Sequence, residues 1–84
     1  MNNEIRESID RLAQTKAAGH QFTLEFSERE VSIAICVSAK LFPDTVRKMA
    51  ELKQEIESEC FSGLGIRAEV AFMSPLEFGK QGNG

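Results

Sequence analysis

Apolar residues recur along this chain with two different periods, and the alternation between those periods predicts its elements. From the N-terminus to about Ala17, Ile5, Ile9, Leu12 and Ala13 return at spacings of four and three, while Arg6, Asp10, Arg11 and Gln14 lie off the stripe. That pattern predicts an amphipathic helix. Asn2 or Asn3 can cap it, Glu4 and Glu7 bring negative charge to its first turn, and Gly19 stands where a left-handed residue would end it. Phe22, Leu24 and Phe26 then alternate with polar neighbours, as do Val31, Ile33, Ile35 and Val37 after the polar break Ser27-Glu28-Arg29-Glu30. Two alternating runs joined by about four residues predict an antiparallel hairpin.

At Leu41-Phe42-Pro43-Asp44 the period changes again. Pro suits a first helical turn, and a second helix is expected to run to about Phe61 with Val46, Met49, Leu52, Ile56 and Cys60 on its buried side. Its other face carries Arg47, Lys48, Glu51, Glu55 and Glu57, where Arg47 and Glu51 are spaced as an i,i+4 pair. Ser62-Gly63-Leu64-Gly65 has the glycines of a phosphate cradle, but such a loop follows a strand and opens a helix, whereas here the order is reversed. Gly63 or Gly65 is therefore expected as a helix C-cap. Ile66, Ala68, Val70 and Phe72 form the inward set of a third strand, which Ser74-Pro75 ends.

The fold class this order implies is an α-β-β-α-β two-layer α/β sandwich, with two helices on one face of a three-stranded mixed sheet. The second helix is the crossover between the second and third strands, so those two should run parallel. Pattern alone leaves open whether the third strand lies beside the second or beside the first, the latter being the split arrangement of ferredoxin-like domains. Either way two sheet edges remain available for pairing with another chain. Residues 1–78 read as a single small domain, and 79–84, Gly-Lys-Gln-Gly-Asn-Gly, as a flexible tail.

Composition narrows the function classes. A length of 84 residues sits near the size where one core becomes marginal and leaves no room for a large enclosed cavity. A net charge of -3 and a pI of about 5.1 argue against a nucleic-acid partner, which calls for a concentrated basic face. No apolar run approaches a membrane span, and the acidic N-terminus lacks the basic-then-apolar order of a signal peptide, so a cytoplasmic chain with no membrane partner is expected. Cys36 and Cys60 each fall inside a predicted element and read as buried or half-buried free thiols. His20 is the sole histidine and has no second ligand at metal spacing, so no metal site is expected and a capping or hydrogen-bonding role is.

Leu41-Phe42-Pro43-Asp44-Thr45-Val46-Arg47, Leu52-Lys53-Gln54-Glu55-Ile56-Glu57, Leu64-Gly65-Ile66-Arg67-Ala68-Glu69-Val70 and Ser74-Pro75 together resemble the C-terminal domain of phenylacetate–coenzyme A ligases. Gly19-His20-Gln21-Phe22 is similar to that domain's entry into its first strand. In that adenylate-forming family the small domain is a lid that rotates on a large N-terminal body. A lysine near its end serves adenylation by stabilising charge on the reacting oxygens. The resemblance thus implies Lys80, in Gly79-Lys80, as the catalytic candidate, and its flanks depart from the family's serine- and basic-rich ending. His20, Gly63 and Gly65 are the candidate ligand-binding residues.

The family's body and hinge have no counterpart in these residues. The implied function is a free-standing lid-like domain that binds or modulates a partner protein, such as a ligase body, and is not catalytic alone. It would hold no cofactor by itself; ATP, Mg and coenzyme A would enter only with a ligase body. Two other readings stand beside it: an ACT-like homodimeric sensor of a carboxylic or amino acid, paired through sheet edges, and a subunit supplying Lys80 to an acyl–CoA ligase in trans.

Overall fold

The computed structural model describes residues 2–37 and 43–81 and contains three helices and three strands, in the order α1 (Asn3–Lys16), β1 (Phe22–Phe26), β2 (Glu30–Cys36), α2 (Pro43–Leu64), β3 (Arg67–Met73) and α3 (Pro75–Gln81). The strands form one mixed sheet in the order β1-β2-β3, with β1 antiparallel and β3 parallel to β2. The third strand thus lies beside the second, and the split arrangement is not adopted.

Each helix end follows from its local chemistry. Asn2 caps α1 by accepting the Ile5 N–H at 2.9 Å through its side-chain oxygen. The chain leaves α1 through Gly19 at φ +87°, with the His20 N–H donating to the Ala17 carbonyl at 3.0 Å. Gly65, at φ +68°, closes α2: its N–H donates to the Phe61 carbonyl, and the Ile66 N–H reaches back to Cys60. Of the two expected caps, Gly65 serves and Gly63 lies within the helix.

Both α1 and α2 cover the same face of the sheet. Ile9 from α1, Val31, Ile33 and Ile35 from β2, and Ile56 and Cys60 from α2 are each no more than 1% exposed and form one cluster with Ile66, Ala68 and Val70. The central strand supplies three of these side chains because it is flanked on both edges. Phe22, Leu24 and Phe26 of β1 pack at the margin and stay half-buried. Lys16 bridges the two helices, with its ammonium 3.5 Å from Glu55 and 3.6 Å from Glu59.

Two expectations fail in this layer. Val46, placed by periodicity on the buried side of α2, is 51% exposed. The helix has 22 residues and is ~33 Å long, whereas seven-residue β3 reaches only ~23 Å, so the first turns of α2 overhang the sheet. The expected flexible tail from residue 79 also differs, because Gly79, Lys80 and Gln81 form the last turn of α3. Ser74 nucleates that helix by accepting the Glu77 N–H at 3.3 Å while its hydroxyl donates to the Glu77 carboxylate at 3.1 Å. Residues 38–42, which include the start of the Leu41-Phe42-Pro43 motif, and 82–84 lie outside the described residues.

Candidate functional site

The predicted site residues divide between the two ends of the sheet. Phe22 pairs with Ile35, which pairs with Phe72, so His20 joins the end formed by Cys36 and Met73. Lys80 is exposed on α3, which follows β3 at that same end and rests against β2 and β3. Gly63 and Gly65 precede Arg67, which pairs with Glu30 at the opposite end, roughly 20 Å away along β3. His20 and Lys80 therefore share an end of the fold, and the two glycines belong to the other. His20 itself is exposed and is tied to the turn through its backbone.

A polar arrangement that periodicity did not single out lies on the outer edge of β3. Lys53 and Glu57, one turn apart on α2, hydrogen-bond each other at 2.6 Å. The Lys53 ammonium also donates to the Val70 carbonyl at 3.0 Å, and the Val70 N–H donates to the Glu57 carboxylate at 3.1 Å. One residue of an edge strand thus has both backbone groups satisfied by a side-chain pair, as a neighbouring strand would satisfy them. Desolvation pushes the Glu57 carboxyl up, but the hydrogen bonds from Lys53 and Val70, with the Lys53 charge, outweigh it and hold the group below the usual glutamate value. The signal in the sequence was the i,i+4 acid–base pair bracketing buried Ile56; its target on β3 depended on strand order.

The second face of the sheet is covered by neither α1 nor α2, but α3 rests against β2 and β3, and Ala34 on the central strand is buried while Ser32 is exposed. Register places Thr23, Ala34 and Ala71 in one row across the three strands and Glu25, Ser32 and Glu69 in the next, with Cys36 beside Met73. The middle of this face is therefore small, with a carboxylate on either side of Ser32. Together with Met73 these side chains line a shallow trough open to solvent. At the far end Arg67 and Glu30 form an exposed ion pair at 3.8 Å, an arrangement worth little in stability.

Cys60 is buried in the core and contributes nothing to this face, whereas Cys36 is partly exposed. Burial, and then the charge of neighbouring Glu59, pushes the Cys60 thiol above its ordinary value, the opposite of what a reactive thiolate requires. Among the described residues, no group of three or more His, Cys, Asp and Glu side chains is placed to hold a metal ion. No described helix is long and apolar enough to cross a membrane. Comparison of the chain with protein-family models, curated proteins and solved structures finds no match.

Proposed function

We propose that this chain is a protein-interaction domain, resembling the lid of a phenylacetate–coenzyme A ligase, that docks on a partner through the open face of its sheet and performs no chemistry alone. The observation that carries the reading is the row Glu25–Ser32–Glu69, exposed on all three strands, with exposed Thr23 and Ala71 in the next row on either side of buried Ala34. A partner surface can approach this row at Ser32, and Glu25 and Glu69 on either side select a partner with basic groups. The partner that the resemblance points to is a ligase N-terminal body, which would itself hold ATP, Mg and coenzyme A. Lys80 lies in the last turn of α3, the helix that follows Met73 at one margin of this face.

The test mixes the chain with a phenylacetate–coenzyme A ligase lacking its own lid and follows complex formation by sedimentation. The reading expects a complex that Glu69→Arg and Ala71→Arg each weaken by about tenfold or more. Absence of a complex, or one indifferent to both substitutions, contradicts it. Acyl-adenylate formation by the mixture separates the trans-subunit reading: loss on Lys80→Ala would assign chemistry to this chain, and unchanged turnover leaves it a binding role. The homodimeric sensor reading draws its support from the other uncovered feature of the sheet, the edge of β1.

A further inference from the structure

The two edges of the sheet are finished differently. On β3 the Lys53–Glu57 pair occupies the outward backbone groups of Val70. The state of β1 follows from its pairing with β2. The Cys36 N–H donates to the Gln21 carbonyl at 2.8 Å and the Ser27 N–H donates to the Glu30 carbonyl at 2.9 Å, both on the same register as the strand. Bonded and non-bonded pairs alternate in an antiparallel ladder, so Thr23 and Glu25 bond to β2 while Phe22, Leu24 and Phe26 turn their N–H and C=O groups outward. None of the described residues hydrogen-bonds those outward groups.

We propose that β1 is a self-association strand: two copies pair β1 with β1, antiparallel, about a two-fold axis at Leu24, joining their sheets into one. The strand reads Phe-Thr-Leu-Glu-Phe, and antiparallel pairing centred on Leu24 sets Phe22 opposite the second copy's Phe26, Leu24 opposite Leu24 and Thr23 opposite Glu25. Every outward backbone group of β1 then finds a partner, since all three outward residues meet outward residues. On the helix-covered face the three half-buried apolar side chains cover one another across the seam. Arg6 of α1, whose guanidinium lies 5.3 Å from the Phe26 ring centroid, stacks on the outermost pair. On the other face the contact is hydroxyl to carboxylate, which like-charge rules allow. A shift by one step toward the C-terminus would set Glu25 against Glu25 at the close, non-bonded position, which those rules disfavour. A two-fold axis makes such an interface close on itself, so the assembly stops at two. The inference concerns the edge of β1 and stands apart from what the open face binds.

The experiment is sedimentation equilibrium of the full chain over a concentration series, with cross-linking to read the register. The wild-type chain is expected to reach twice its mass of 9.3 kDa. Leu24→Cys should give a covalent dimer bridged through residue 24, whose Cα atoms would be about 5.5 Å apart, within disulfide reach. Glu25→Cys should give none. A chain made with an N-methylated Leu24 amide, which leaves the bonds to β2 in place, should dimerise at least about tenfold more weakly. A monomer at every concentration up to about 1 mM, bridging through residue 25, or a dimer indifferent to the N-methyl group overturns the proposal. Capture of an extended peptide at this edge without self-association overturns it as well.

Discussion

Gly63 and Gly65 stand two residues apart in the same turn, and their backbones ask opposite things of a side chain. A Cβ on either would meet no atom within 4 Å, so space does not distinguish them. Gly65 has φ +68° and Gly63 is helical. Gly65→Ala should therefore cost about 1 kcal/mol through left-handed strain, whereas Gly63→Ala should stabilise by up to about 1 kcal/mol through helix propensity. Urea denaturation of the two variants reads the opposite signs directly. Glu57 offers a second test at this scale. Its folded pKa lies below its unfolded one, so the stability it contributes is fully present above the unfolded value, about 4.3, and is lost as pH falls through the folded value. Glu57→Gln should destabilise the chain by about 0.5–1 kcal/mol at neutral pH, with the half-exposed setting keeping the effect modest. The gap from wild type should narrow as the pH is taken below about 4.

Among the elements, α2 shows what periodicity can and cannot reveal. Val46 and Ile56 fall on one stripe, yet Val46 is half exposed and Ile56 is fully buried. Ile56→Ala should cost about 2–5 kcal/mol and Val46→Ser less than about 0.5 kcal/mol, as measured by chemical denaturation. The stripe records which side of the helix faces inward; how far the sheet extends beneath it depends on the lengths of two other elements. The strands were legible for a related reason. In β3, Ala68 and Val70 point inward and Arg67 and Glu69 outward, as alternation requires, and in β1 the same rule separates Phe22, Leu24 and Phe26 from Thr23 and Glu25. Strand order was not legible, since β3 could satisfy its apolar face on either side of the hairpin. The missed helix α3 was legible after all. Ser74-Pro75-Leu76-Glu77 has a capping residue, a proline at the first helical position and an acid at the third, but the glycines that follow it read as a tail.

At the scale of the whole molecule, the long axes of 36 and 30 Å against a thickness of 17 Å describe one sheet backed by one helix layer. Its apolar core is spent on joining those layers, and the polar groups outside the core are distributed over surfaces. Glu25 and Glu69 flank Ser32 on the second face, the Lys53–Glu57 pair occupies the backbone of Val70 on one edge, and His20 and Lys80 lie apart from Gly63 and Gly65. Of the candidate residues named from the sequence, two thus share an end of the fold because β1 and β3 bring them there, while of the other two Gly65 ends α2 and Gly63 lies within its last turn. What separates them is strand direction, which only the assembled sheet reveals. The account's central claim is that this domain works through a protein surface and not through a small-molecule site of its own. It is tested most directly by an amide NMR titration of the isolated chain with Mg-ATP, coenzyme A, phenylacetate and a mixture of amino acids. The account predicts a spectrum that none of them moves. Saturable shifts clustered at His20 and Lys80, or at Gly63 and Gly65, would contradict it.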